Sequence, residues 1–308
     1  MGSGYGFGKT IVFGEHFVVY GLPAIASAIT SKTTARVKRI KGSNYKLVDN
    51  RPATPGYKEK KKEQQLDSIR RIFESLKIDP TESPVEIELA GDLIAASGVG
   101  ASAASCAAIA RALNEEFSLG LSDEKINEAA FEGEKGYHGT PSGIDNTAAV
   151  YGGLIKFTKT ETGPKMERIR IKPVEIVLGN SGITSNTTEV VADVRRKKEE
   201  KPREFEQIFK NYARIAEEGV KAFKENDTEK IGSLMNKNHS LLQKIGVSCP
   251  ELEELVGIAR ENGALGAKLT GTGRGGLIIA LTPGKELQER IAGAIEETGK
   301  TAFRTRIG

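Results

Sequence analysis

Along the chain the period of apolar residues changes repeatedly, and each change marks an element. Residues 5–40 carry apolar and β-branched runs broken at Gly14 and at Gly21-Leu22-Pro23, the pattern of buried strands. Within them "IVFGEHFVVYG" (11–21) reads as a strand with a charged pair, Glu15 and His16, set into it. Burying both among such neighbours is costly unless each is partnered. "NRPATPGY" (50–57) is a proline-rich loop. Beyond it Leu66, Ile69, Phe73 and Leu76 recur at helical spacing, so the preceding lysines read as a solvated helix start. "SPVEIELAG" (83–91) alternates as a strand does, and "DLIAASGVGASAASCAAIARALNEEF" turns a run of small residues into a long helix with Ile109 and Leu113 inward.

Ser122, followed by Asp123 and Glu124, opens a second helix. "AAVYGGLIKFTK" then reads as a strand, and 158–171 as a polar stretch. A new series follows: strand "VEIVLGN", a Thr/Ser-rich loop, and helices across 187–224 and 227–245. It closes with helix 251–261, the strand and loop of "AKLTGTGRGGLIIAL", helix 285–298 and strand "KTAFRTRI". No repeat of solenoid period is present. Strand runs with interspersed helices predict an α+β protein in two halves that part near 155–172.

Composition narrows the classes further. A net charge of +4 over 308 residues is small, and the lysine run 58–62 lacks interleaved aromatics, so no nucleic-acid partner is expected. Cys106 and Cys249 have no ligand-like spacing, which argues against a disulfide framework or structural zinc. No apolar stretch is long enough to span a membrane and no secretory signal stands at the start, so the expected location is cytoplasmic, with no membrane partner.

Four segments carry candidate chemistry. In Ala96–Ser105 a Gly98-Val99-Gly100 turn enters a helix, aiming free N–H groups and the helix dipole at one point, which suits an anion; close packing would use the same small residues. Ser102, in that first turn, has a hydroxyl suited to a metal riding on a phosphate. "EGEKGYHGTPSGIDN" places Glu132, Glu134, His138 and Asp145 within fourteen residues, a spacing that metal-dependent phosphoryl transfer can use, though a lone Asp in "GID" also serves as a turn residue. The glycines of "KLTGTGRGGLIIAL" (268–281) permit close backbone approach to a ligand, or a tight strand connection. Lys9 enters a buried strand six residues before Glu15, where one positive charge would stand beside a transferring phosphate.

The order of these segments, Lys9–Glu15–His16, the Gly-Ser helix start, Glu134 and Asp145, then the glycine loop at 271–276, resembles the GHMP small-molecule kinases. "FGEHFVVYGLPAIA", "GYHGTPSGIDNTAAVYGG" and "KLTGTGRGGL" look like the mevalonate kinase branch, and more narrowly its trypanosomatid-like members. The resemblance implies an α+β, two-domain GHMP kinase fold. Its N-terminal ribosomal-protein-S5-like α/β domain (1–160) would carry the nucleotide loop and catalytic Asp, and its C-terminal ferredoxin-like α+β domain (161–308) the glycine-rich loop. It implies ATP and Mg2+ as cofactors, mevalonate as the phosphoryl acceptor at its C5 hydroxyl, and a homodimer. Residue by residue, Asp145 and Lys9 match the catalytic pair. Ser97, Gly98, Val99, Gly100, Ala101 and Ser102 match the ATP loop, and Ser102 and Glu134 the metal ligands. Glu15, His16, Ser142 and Ser181 match substrate-pocket positions, with His16 the direct contact.

The chain departs from the family pattern in three places. Ala101 replaces one of the paired serines of the loop, Gly6-Phe7-Gly8-Lys9 replaces the usual Ala-Pro-Gly-Lys, and Arg274 replaces a common glycine. The alternatives are a kinase for phosphomevalonate, homoserine, a sugar or the 3-hydroxyl of mevalonate, and a non-catalytic nucleotide-binding relative. The joint presence of Lys9, Ser102, Glu134 and Asp145 argues against the last.

Overall fold

The computed structural model describes residues 1–54, 56–94, 98–160 and 163–308. The chain packs as two units: Met1–Lys9 with Ala28–Gly152, and Thr10–Ser27 with Gly153–Gly308. Their division is thus not a single cut at 160/161. Two long strands, β1 (Gly2–Phe13) and β2 (Ala24–Arg39), each contribute residues to both units.

In the first unit, Thr33–Arg39 of β2 pairs antiparallel with β4 (Val85–Gly91), and β3 (Lys46–Asp49) lies parallel to β4. The helices are α1 (Tyr57–Lys60), α2 (Lys62–Leu76), α3 (Ala101–Glu116), α4 (Asp123–His138) and α5 (Ile144–Tyr151). Period-two residues Val85, Ile87 and Leu89 of β4 join Ile69, Ile72 and Phe73 of α2 and the alanine-rich face of α3 in one apolar cluster. Each large side chain so removed from water contributes roughly 1.5–3 kcal/mol. Cys106 sits in this cluster as a buried thiol, its ionisation suppressed by burial.

What fixes the site is how β1 meets α3. A Cβ on Gly2, Gly4 or Gly6 would overlap the carbonyl oxygens of Ala112, Ala108 and Ala104 respectively, so strand backbone rests on helix backbone. The match is geometric: two strand residues advance about 6.7 Å and four helical residues about 6 Å. The strand therefore descends α3 turn by turn and delivers Lys9 to the helix start. There Lys9 N donates to Val99 O at 2.8 Å, and the Lys9 Cγ lies 2.8 Å from where a Gly100 Cβ would stand. The unusual Gly6-Phe7-Gly8-Lys9 opening thus preserves the lysine's position by close packing.

The second unit contains β5 (Leu154–Thr160), β6 (Gly163–Ile169), β7 (Val174–Asn180), α6 (Thr187–Glu200), α7 (Pro202–Glu225) and α8 (Thr228–Lys244). It ends with α9 (Pro250–Glu261), β8 (Gly266–Thr270), β9 (Leu277–Leu281), α10 (Lys285–Glu296) and β10 (Thr301–Ile307). Four strands form an antiparallel sheet in the order β10-β7-β9-β8, with α8 and α9 against β8 and α10 against β7 and β10. Ala24–Ser27 of β2 pairs with β5, and β5 with β6. Phe17 stacks on Tyr212 of α7 at 3.9 Å between ring centroids, and Tyr212 donates its hydroxyl hydrogen to Pro23 O at 2.5 Å. The α+β class expected from the pattern holds.

Four local readings change. The strand predicted over 11–21 stops at Phe13; Gly14, Glu15 and His16 turn, and Phe17–Tyr20 is a short 3-10 helix. "AAVY" belongs to α5 rather than to a strand, because Ile144 and Ala148, one helical turn apart, are both buried. The polar stretch 158–171 contains β6, a hairpin partner of β5 whose exposed side chains leave no apolar alternation to read. β3 was silent for the same reason, being four residues with no fully buried side chain.

The β1–α3 contact predicts a contrast between glycines. Gly6→Ala should lose about 1–3 kcal/mol in urea unfolding, the usual effect of overpacking. Gly257→Ala, inside α9 with nothing within 4 Å of the added Cβ, should gain about 0.5–1 kcal/mol. Equal stability of the two variants would contradict the packing described.

Candidate active site

The first unit holds five of the predicted side chains: Lys9, Ser102, Glu134, Ser142 and Asp145. Gly100 precedes α3 with φ 73°, a left-handed backbone that suits glycine, and among the described residues no side chain caps the helix. The first-turn N–H groups have no acceptor within the helix, a geometry that suits an anion such as phosphate. Asp145 stands in the first turn of α5, its Oδ1 3.2 Å from Lys9 Nζ. The lysine side chain is only 8% exposed and the aspartate 30%, so a buried cation is held against a carboxylate still open on one side. Ser142 lies in the same turn, its Oγ accepting from Ile144 N at 3.4 Å.

Glu134 lies beneath this group on α4. It is 1% exposed, and its Oε1 has no hydrogen-bond partner among the described residues. Burial, with the charge of Asp145 adding to it, pushes the Glu134 carboxyl up to about 8. Its Oε2 is 3.9 Å from His138 Nε2, which in turn is 3.4 Å from Ser102 Oγ. A buried carboxylate with an unused oxygen, next to a serine hydroxyl and a second carboxylate, is a donor set that fits a small divalent cation. Among the described residues no group of three or more His, Cys, Asp or Glu could hold a metal. Mg2+ does not require one, since it binds through one or two carboxylates together with water and substrate phosphates.

The second unit gathers the rest. His16 has φ 63° and is 8% exposed. Its Nε2 lies 2.7 Å from Thr272 O. A carbonyl only accepts, so Nε2 carries the proton and Nδ1 is the acceptor nitrogen. Burial lowers the imidazole's pKa and keeps the ring neutral at neutral pH. Glu15 forms an ion pair with Lys268 of β8, both side chains fully buried. Ser181 is fully buried as well; its N donates to Gly276 O at 2.9 Å and its Oγ accepts from Ile183 N at 3.3 Å. Arg274 anchors the glycine loop: its Nε donates to Gly246 O at 3.0 Å, its backbone N to Val247 O at 2.7 Å, and its guanidinium pairs with Asp193 of α6.

Comparison with known proteins gives the family of the chain. The model for the GHMP kinases N terminal domain matches residues 66–153, and that for the GHMP kinases C terminal matches 220–301. Mevalonate kinase of Pyrococcus abyssi is 36% identical over 318 aligned positions, covering 97% of this chain and 93% of that one. The crystal structure of L. major mevalonate kinase in complex with R-mevalonate superposes with a TM-score of 0.96 at 39% identity, covering 100% of this chain and 96% of the other. The chain belongs to the GHMP kinases. A further member, the mevalonate kinase of Methanococcus jannaschii, superposes at 0.83 with 25% identity over 99% of this chain and 98% of its own.

In this GHMP kinase Lys9, Asp145, Ser142, Ser102, Glu134, Gly98, Val99, Gly100 and Ala101 lie in the first unit, and Glu15, His16 and Ser181 in the second. Ser97 lies outside the described residues. Lys268 and Thr272 escaped the sequence reading as functional residues, although both stand in the glycine-loop motif. A lysine inside the apolar run that leads into that loop was the available signal.

Two buried histidines set an acid limit on this kinase. Burial holds His16 and His239 below the ordinary value of 6.5, so the unfolded chain takes up protons first as pH falls. Their contribution to stability is complete above about pH 6.5 and is lost as pH drops toward the folded values. Thermal melts should show Tm falling from pH 7 to pH 5, with a shallower fall in His16→Asn. An identical fall in that variant would remove His16 from the effect.

Proposed function

We propose that this chain transfers the γ-phosphoryl group of ATP to the C5 hydroxyl of (R)-mevalonate, giving 5-phosphomevalonate and ADP. The observation that carries the reading is the Lys9–Asp145 ion pair held at the open N-terminus of α3. Its mevalonate kinase relatives, one of them solved in complex with R-mevalonate, support the choice of acceptor. The protein's work in such a transfer is positioning and charge stabilisation, because the transition state is loose and its charge spreads over the equatorial oxygens. The N–H groups that follow Gly98-Val99-Gly100 take the phosphates, and Lys9 faces the group in transfer. Single donors of this type contribute roughly 3–4 kcal/mol. Asp145 orients the acceptor hydroxyl and receives its proton as the O–P bond forms. Ser102 and Glu134 would hold Mg2+, which when bound neutralises phosphate charge. Of the substrate-pocket positions that the family resemblance supports, His16 offers Nδ1 as a hydrogen-bond acceptor, and Ser142 lies in the turn that carries Asp145. The family resemblance further supports a homodimer at work in the cytoplasm; no helix among the described residues is long and apolar enough to cross a membrane.

Coupled ADP release with mevalonate, phosphomevalonate, homoserine and galactose tests the acceptor. Mevalonate should be turned over fastest; background rates on mevalonate with rapid turnover of another acceptor would refute the assignment. Asp145→Asn should cut kcat by roughly 10²–10⁴, the span of a lost general base, with ATP affinity close to wild type. His16→Ala should raise the KM for mevalonate about tenfold, a loss of about 1.4 kcal/mol.

A further inference from the structure

Three residues of β8 and the glycine loop bear on the His16 turn, Lys268 and Thr270 through their side chains and Thr272 through its carbonyl. Positions 268, 270 and 272 alternate along β8 and into the glycine loop, and each meets the chain segment 10–16. Thr270 Oγ1 donates to Ile11 O at 2.9 Å and accepts from Ile11 N at 3.2 Å. Lys268 Nζ pairs with Glu15 and also donates to Leu269 O at 2.7 Å. Thr272 O takes the His16 Nε2 hydrogen at 2.7 Å. Behind the turn, Tyr212 is stacked on Phe17 and its hydroxyl is committed to Pro23 O.

Stability alone does not account for the ion pair. Two fully buried charges lose solvation that their attraction scarcely returns, and apolar replacement of both is often neutral or stabilising. The turn it supports is strained, since His16 holds a positive φ that a side chain adopts at a cost. A buried charge pair tolerates little displacement. It therefore specifies the place of the residue that follows Glu15.

We propose that Lys268 and Glu15 are positioning residues that fix the His16 turn against the glycine loop, so that Nδ1 is presented to the acceptor molecule in a single tautomer and orientation. Both side chains are fully buried, so they act through the turn they hold. This proposal rests on the reading of His16 as a mevalonate contact, and the experiment separates the two.

The test removes both charges together in Glu15→Leu/Lys268→Met, alongside His16→Ala. In the double variant Tm should stay within a few degrees of wild type while the KM for mevalonate rises about tenfold and the KM for ATP holds. A double variant with wild-type KM for mevalonate would overturn the proposal. A second measurement decides the matter should the double variant not fold. In Glu15→Gln, which keeps shape and loses the charge, 15N spectra of the histidine rings should show His16 passing from one tautomer, protonated at Nε2, to a mixture. An unchanged His16 spectrum in Glu15→Gln would likewise overturn it. Should His16→Ala leave the KM for mevalonate unchanged, the substrate-contact reading fails, and the proposal as stated fails with it. The tautomer spectrum then still reports whether Glu15 holds the ring.

Discussion

The contact of one backbone on another, β1 on α3, is the constraint from which the first unit's chemistry follows. Helix and strand seldom come so close, because any side chain on the strand would hold them apart. Gly2, Gly4 and Gly6 remove that obstacle at the spacing that matches successive turns of α3, and Lys9 follows at the open end of the helix. Lys9 then has little choice of position. Its stem crosses the face of Gly100 and its ammonium meets Asp145. An anion site that the helix offers by its geometry thereby acquires a fixed positive charge and a carboxylate, which is most of what phosphoryl transfer asks of a protein.

Buried charge serves different ends in the two units. The proton on Glu134 is favoured by burial and by the charge of Asp145, and a divalent ion bound there would compensate the carboxylate. Glu15 is fully compensated by Lys268, and the pair constrains backbone. The neutral imidazole of His16 reflects a third arrangement, burial together with a hydrogen bond to a carbonyl. Polar groups in these positions are costly, and Glu15 and His16 are each held by a named partner.

Much of this was legible in the sequence, for definite reasons. Lys9, Gly98–Ser102, Glu134 and Asp145 lie in short motifs whose order survives without any knowledge of tertiary contacts. The helices with a clear apolar stripe, α2 and α7 among them, were equally readable. What the pattern did not reveal depends on long-range partners or on side chains that carry no period. The anchoring of Arg274 needs Asp193 and Gly246, and the burial of Lys268 needs Glu15 some 253 positions away. β6 presents exposed polar residues and "AAVY" small ones, so neither announces its conformation. The run "FVVY" reads as strand by composition, yet the turn at Gly14-Glu15-His16 makes it a 3-10 helix.

The central claim is that Lys9 and Asp145 act as one unit on the transferring group. A double-mutant cycle in kcat, with Lys9→Met, Asp145→Asn and the combined variant, tests it most directly. Side chains acting as a unit are strongly non-additive, so the combined variant should lose scarcely more than the worse single one. Losses that simply multiply would show two independent contributions and contradict the account.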